Sequence, residues 1–196
     1  MKKIIVTTAM IAITAMGFSQ EQKTRSNSLG MNITSLSQMT FKLNYERHFK
    51  NYSSLVIAGG IILYEDYDSK KSGANGEIQY RIGTPLSFFF PGGTAYFAPY
   101  AGYQYVDYYR ENNSYGYYYD EEPAGSNNTE YSNFTGGCLF GVRTKLSARF
   151  FVDINIGGGF RYELTDEKME TMSLGTQSLG YSGIYPRSNV VLGINF

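Results

Sequence analysis

The sequence predicts an all-β fold, an eight-stranded antiparallel up-and-down transmembrane β-barrel. Three observations point there. Apolar residues recur with period two, and no segment of about ten residues carries a helical repeat. In the last strand Val190, Leu192, Ile194 and Phe196 fall on one face. Arg187, Asn189, Gly193 and Asn195 fall on the other, with Val191 the apolar exception. A soluble sandwich would turn the apolar face to a core. A transmembrane barrel turns it to lipid and the polar face to a lumen. The first twenty residues favour the barrel, because they read as an export signal.

Met1-Lys2-Lys3 is a short basic start, Ile4 to Met16 is apolar, and Gly17 and Ser19 flank Phe18 just before Gln20. This is the pattern of a cleaved secretory signal peptide. Residues 1–19 are therefore set aside, residues 20–28 are read as an N-terminal periplasmic segment, and residues 29–196 as one barrel domain. No cysteine follows the cleavage site to carry a lipid anchor. The expected location is the cell outer membrane, reached by export. Basic and acidic residues balance at 17 each, which leaves no footprint for nucleic acid. Cys138 is alone, so an internal disulfide is excluded, and it reads as a small apolar residue. The chain holds 22 Gly, 19 Tyr and no Trp, a composition that favours strands.

The strands follow in order. Leu29, Met31 and Ile33 alternate with Gly30, Asn32 and Thr34. Met39, Phe41, Leu43 and Tyr45 alternate with Thr40, Lys42, Asn44 and Glu46. Leu55 to Leu63 is more continuously apolar around Gly59-Gly60. Ile78, Tyr80 and Ile82 alternate with Glu77, Gln79 and Arg81. Residues 94–110 are rich in Tyr, and residues 131–146 mix Phe134, Leu139, Phe140 and Val142 with Gly. Val152, Ile154, Ile156, Phe160 and Tyr162 alternate with Asp153, Asn155, Gly157 and Arg161. Residues 184–196 end the chain. Residues 29–48 admit a second reading as one long bent strand, which would break the even count.

Loop lengths supply a separate argument. With the N-terminus in the periplasm, Ser37-Gln38, Glu65–Ser72, Glu111–Glu130 and Leu164–Gly183 face outward. Phe49–Asn51, Pro85–Gly93 and Ser147-Ala148 face inward. Three of the four outer connections read as long and polar, the asymmetry of outer-membrane barrels.

A sheet inside hydrocarbon must close, because each unpaired backbone group costs several kcal/mol. Eight strands leave an interior just wide enough for side chains to fill. The residues assigned inward are Lys42, Glu46, Glu77, Gln79, Arg81, Asp153, Asn155, Arg161 and Arg187. They carry both signs, and a mixed set neutralises itself where a lone charge would be costly. A plugged, salt-bridged lumen is expected. Most tyrosines lie between Tyr96 and Tyr131. Some are expected in an aromatic girdle, and Tyr115, Tyr117, Tyr118 and Tyr119 in the large surface loop.

Several segments carry a resemblance: Leu43-Asn44-Tyr45-Glu46-Arg47 before a tight turn, Glu77-Ile78-Gln79-Tyr80-Arg81, Phe97-Ala98-Pro99-Tyr100-Ala101-Gly102-Tyr103, and Gly183-Ile184-Tyr185-Pro186-Arg187. On these the chain resembles small outer-membrane β-barrel proteins common in Bacteroidetes, similar in architecture to OmpA/OmpX-type eight-stranded barrels. The resemblance implies an outer-membrane lipid environment and insertion by the barrel-assembly machinery, with Phe196 as the recognised end. It implies no defined activity.

Constellations for chemistry are sparse. His48, the only histidine, precedes a short periplasmic turn, away from the outer leaflet where lipid A-modifying barrel enzymes work. It reads as a turn or interfacial residue. Asp120-Glu121-Glu122 and Glu65-Asp66-Tyr67-Asp68 lack the alternating ligand spacing of a calcium loop. Gly157-Gly158-Gly159 lies within a strand with no helix after it, so it reads as a bend or close-packing site. Neither metal nor cofactor is expected. The function expected is a non-enzymatic barrel with a structural or surface-contact role through its loops, for a surface ligand the residues do not specify. The alternatives are a lipid A-modifying enzyme, a narrow channel for small solutes, and a secreted lipocalin-like barrel with the faces inverted.

Overall fold

The computed structural model describes residues 26–49, 51–65, 69–86, 92–111, 126–164, 172–174, 177–179 and 182–196. The signal segment, Tyr115, Tyr117, Tyr118, Tyr119, and the carboxylates Asp66, Asp68 and Asp120 to Glu122 lie outside those residues. Ten strands are described: β1 (Asn27–Asn32), β2 (Thr40–His48), β3 (Ser53–Glu65), β4 (Ser69–Pro85), β5 (Thr94–Glu111), β6 (Ser126–Lys145), β7 (Phe150–Glu163), β8 (Met172–Leu174), β9 (Gln177–Leu179) and β10 (Gly183–Asn195). Eight of them form a closed barrel in the order β1-β10-β7-β6-β5-β4-β3-β2, and every pairing is antiparallel. This is the closed antiparallel barrel that the alternation predicts. The small β8–β9 hairpin lies in the β7–β10 connection and stands apart from the barrel sheet.

Residues 29–48 are two strands. A single 3-10 turn, Thr34–Gln38, separates them, and Met39 reverses the chain with φ of 53°. Ser35 fixes this corner: its buried hydroxyl lies 2.7 Å from the Asn32 carbonyl and 2.8 Å from the Thr40 carbonyl. β1 begins at Asn27, two residues before the boundary read from the sequence.

Two connections are shorter than expected. β3 runs to Glu65 and β4 starts at Ser69, so Glu65–Ser72 is mostly strand and only residues 66–68 link the two. β6 likewise starts at Ser126, which trims the Glu111–Glu130 loop to residues 112–125. Ser69 to Gly76 is polar on both faces and carries no alternation signal. Its strand form comes from the ladder on either side, with Lys70 opposite both Glu65 and Tyr109. The β2–β3 turn is tight, as expected, with Asn51 and Tyr52 both at positive φ, the backbone that matches strand twist in a hairpin.

The β6–β7 seam is built from glycine. Gly137 faces Gly159 and Leu139 faces Gly157. A Cβ on Gly137 would run into the Gly158 carbonyl, and one on Gly159 into the Gly136 carbonyl. The two strands pass too closely for side chains there, consistent with the close-packing reading of Gly157 to Gly159. Replacing Gly159 by Val should therefore prevent wall closure. On unboiled gels the compact, heat-modifiable band is expected to disappear, while Gly59→Ala, where a Cβ meets nothing within 4 Å, should keep it.

The barrel is weakest at β1. The β1–β10 ladder covers only Ser28–Asn32, whereas β5–β6 pairs over the full length of β5. Above Asn32 the open edge of β10 is held by the Ile33 amide on the Val190 carbonyl, at 2.8 Å. Pro186, without an N–H, lies further along that strand and limits further pairing. Amide exchange should open β1 and the start of β2 first, with β5 and β6 the slowest to exchange. Uniform protection around the barrel would contradict this.

Candidate functional site: the barrel interior

Strand periodicity sorts the side chains. Inward faces hold Lys42, Asn44 and Glu46 on β2, Glu77, Gln79 and Arg81 on β4, Asp153, Asn155 and Arg161 on β7, and Arg187 and Asn189 on β10. All are buried or nearly so, Asp153 at 1% exposure. Outward faces hold Leu43, Ile57, Ile61, Ile78, Phe134, Phe140, Ile154, Ile156, Phe160 and Ile184, with Phe160 at 71% exposure. The molecule is polar within and apolar without.

Two ionic clusters fill the interior. In the first, Glu77 Oε2 takes Lys42 Nζ at 2.6 Å and Arg187 Nη1 at 2.7 Å, and Gln79 donates to Glu77 Oε1 at 2.5 Å. In the second, Arg81 Nη1 reaches Asp153 Oδ2 at 2.5 Å and Glu46 Oε2 at 3.2 Å. Arg143 also pairs with Glu46, and Ser54 donates to Glu46 Oε1 at 2.5 Å. Tyr96 donates to Asp153 Oδ1 at 2.5 Å. Every carboxylate oxygen of Glu46, Glu77 and Asp153 thus has a donor. Arg187 with Glu77, and Arg143 with Glu46, join strands on opposite sides of the barrel. The clusters are linked through amides: Asn155 contacts Tyr96 and Asp153, Asn189 donates to Asn155 at 2.7 Å, and Arg187 Nε donates to Asn189 Oδ1 at 3.4 Å.

Aromatic rings support the cations. Arg81 lies 4.3 Å from the Tyr96 ring centre, Arg161 4.1 Å from Tyr185 and Arg187 5.0 Å from Tyr100. A guanidinium stacks on a ring while donating to a carboxylate in its own plane, so each ring limits the rotamers of the ion it carries.

The nine polar residues expected inward all face the interior. Arg161 sits against the Tyr185 ring. Asn189, placed by the sequence on the polar face of the last strand, is inward too, whereas Arg143, Tyr96 and Ser54 are absent from the inward set, although each shares its face with a polar residue two positions away or across the ladder. The sequence reading also overlooked an apolar share of the lumen. Ile62, Val106, Tyr108 and Tyr131 form one buried cluster, and Tyr96, Ala98, Tyr100 and Leu139 another. The expected girdle is correspondingly divided. Tyr45, Tyr80, Tyr103, Tyr109 and Tyr162 are exposed on the outer face, but Tyr96, Tyr100, Tyr108 and Tyr131 point inward. A tyrosine-rich strand must place every second ring inside.

His48 is tied to the wall. Its Nε2 lies 3.0 Å from Ser28 Oγ and its Nδ1 3.7 Å from Glu46 Oε1. This has the order of a serine–histidine–acid relay, but Ser28 is 1% exposed and Glu46 is already committed to two arginines. A nucleophile needs access and a base oriented by its acid. The group is a strut between β1 and β2. Cys138 is a free, half-buried thiol. Among the described residues, His, Cys, Asp and Glu side chains nowhere gather in threes to hold a metal ion. Phe196 is exposed, and its backbone exchanges both hydrogen bonds with Asn27 at the closing seam.

Fold and interior together define a closed eight-stranded antiparallel barrel with an ion-paired interior. No family model and no curated protein matches the chain. Among solved structures, the crystal structure of the N-terminal β-barrel domain of Pseudomonas aeruginosa OprF is similar at 14% identity. The match covers 89% of this chain and 100% of that one, with a TM-score of 0.39. The barrel assignment rests on this chain's own strand register, not on that likeness.

Removing Arg81 would leave Glu46 and Asp153 without the cation they share. Arg81→Leu should lower barrel stability by about 3–5 kcal/mol, measured as a shift of the urea midpoint in detergent micelles. Adding Asp153→Leu should recover part of that loss. An Arg81→Leu barrel as stable as the parent would show that the pair is ornamental.

Proposed function

We propose that the chain is a non-enzymatic outer-membrane β-barrel protein, exported on the segment 1–19, whose ionic interior plugs the lumen and whose long loops make surface contacts. One observation carries this reading: a broad band of large apolar side chains is exposed around a closed wall while buried ions occupy the middle. In water that arrangement would expose far more contiguous apolar surface than a soluble monomer tolerates. In a bilayer it matches a lipid-facing wall whose backbone is internally paired. The lipocalin-like alternative needs an apolar interior with Lys42, Glu77, Arg81, Asp153 and Arg161 exposed, and all five are buried. No described helix is long and apolar enough to cross a membrane.

Plugging follows from the ion pairs that bridge opposite walls. Hydrated solutes would have to break paired charges to pass, so the narrow-channel reading has less support. Reading the N-terminus as periplasmic puts the turns around residues 51 and 147 in the periplasm and the connections 112–125 and 164–182 outside. The contact role is assigned to these, because tyrosine offers large contact area at low entropy cost. Phe196 is proposed as the residue the barrel-assembly machinery recognises.

Expressed with its leader in a Gram-negative host, the protein should fractionate with the outer membrane and migrate faster on gels before boiling than after. Recovery in the soluble fraction would contradict the reading. Deleting residues 112–125, the connection that lies between β5 and β6, should leave that mobility shift intact and abolish binding of whole cells to surfaces. Binding that survives the deletion would remove the loop from the account.

A further inference from the structure

The two ends of the lumen are not electrically alike. At the end with the short turns, Arg81 and Arg143 face Glu46 and Asp153, and the charges cancel. At the end with the Thr34–Gln38 turn, a polar cavity offers about 50 Å³ of space to the centres of water-sized molecules. The charged side chains lining it are Lys42, Arg161, Arg187 and Glu77, three cations and one carboxylate. Nearer the rim, Lys71 lies over the Tyr64 and Tyr108 rings, and Glu163 lies near Tyr131. Among the described residues, the side chains lining this cavity thus carry more cations than carboxylates. A buried excess of like charge is costly unless a counter-charge joins it.

We infer that this cavity is a binding site for a small oxyanion of the phosphate or sulfate class. The volume suits it, since a water needs only about 10–15 Å³ by the same measure, so the cavity holds several waters or one tetrahedral anion. Donors remain free to serve it. Lys42 Nζ carries three hydrogens and spends one on Glu77. Arg187 carries five and is committed at Nη1 to Glu77 and at Nε to Asn189. The Glu77 carboxylate would repel an anion if bare. Here Lys42, Arg187 and Gln79 occupy both of its oxygens.

Neutral groups at the same level point the same way. Asn75 lines the cavity, and its buried side-chain oxygen has no partner. Gln104 lines it too, and its ladder neighbour Asn133 is fully buried with both amide atoms unpartnered. Amides turn to present either donor or acceptor, so Asn75 and Gln104 extend the polar lining of the cavity. A buried amide atom left without a partner is rare in a finished structure, and a guest in the cavity would supply one to Asn75.

The site belongs to the folded barrel, so its test does not depend on where the protein resides. The purified chain, folded in neutral detergent micelles, is titrated calorimetrically with inorganic phosphate, with sodium chloride at matched ionic strength, and with phosphatidylglycerol added to the micelles. Saturable one-site binding of phosphate alone is expected. Arg161→Gln should weaken it about tenfold or more, the loss of one charge-assisted hydrogen bond, while Arg47→Gln, an exposed arginine bonded to Asn27, should leave it unchanged. Should Arg161→Gln fail to fold, the unmodified chain still decides: millimolar phosphate should raise the temperature at which the folded band is lost. Absence of saturable phosphate binding by the unmodified chain overturns the inference. So does equal binding by folded Arg161→Gln. Competition by phosphatidylglycerol overturns it too, since the guest would then be a lipid headgroup and not a free oxyanion.

Discussion

Closure of the hydrogen-bond ladder between β1 and β10 governs everything else in this molecule. An open sheet leaves two rows of backbone groups wanting partners, and hydrocarbon supplies none. Closing eight strands meets that need and also fixes the interior at side-chain width. Every second residue must then enter a narrow space shared with seven other strands. The ions placed there have no room for bulk water, so they neutralise one another across the lumen. Polarity inversion and ion pairing are thus consequences of a single geometric act. The act is completed at the shortest ladder, where Asn27 and Phe196 exchange both backbone hydrogen bonds.

Within that frame the interior has a graded character. At the short-turn end, Arg81 and Arg143 are matched by Glu46 and Asp153 and further held by Ser54 and Tyr96, a set with little left to offer a guest. At the other end, Glu77 gathers two cations and Arg161 adds a third beside a small cavity. Rings lie beneath four guanidiniums, those of Arg81, Arg143, Arg161 and Arg187, so much of the apolar material in the lumen serves as footing for charge. This division of labour, a sealed half and a receptive half, connects the structural role of the barrel to the oxyanion site.

Much of the fold was legible because its signal is periodic. Alternation marked β1, β2, β4, β7 and β10, apolar or tyrosine-rich runs marked β3, β5 and β6, and the sign mixture along Lys42, Glu46, Glu77, Arg81 and Asp153 marked the inward faces. What escaped lacked that signal. Ser69 to Gly76 is polar on both faces, so only its ladder partners make it strand. The β8–β9 hairpin is too short for any period to register. Tyrosine suits a dry ring and a wet hydroxyl equally well at a membrane boundary and in a mixed lumen, which is why Tyr96 and Tyr100 could be placed only once their parity was known. Arg143 lies between Val142 and Thr144 near the end of its strand, with Gly141 two positions before it, so no polar alternation leads up to its face. The pairing of particular ions is also beyond one sequence, because Arg187 and Glu77 meet through four intervening ladders.

The central claim is that the outer face of this wall lies in hydrocarbon. The chain contains no tryptophan, so one introduced residue reports without background. Phe140→Trp places an indole on the outer face of β6, and Phe151→Trp places one inside on β7. With each variant reconstituted in vesicles of lipids brominated along their acyl chains, the account predicts strong quenching of the first and little of the second. Equal quenching of both, or quenching of the inner indole alone, would contradict it.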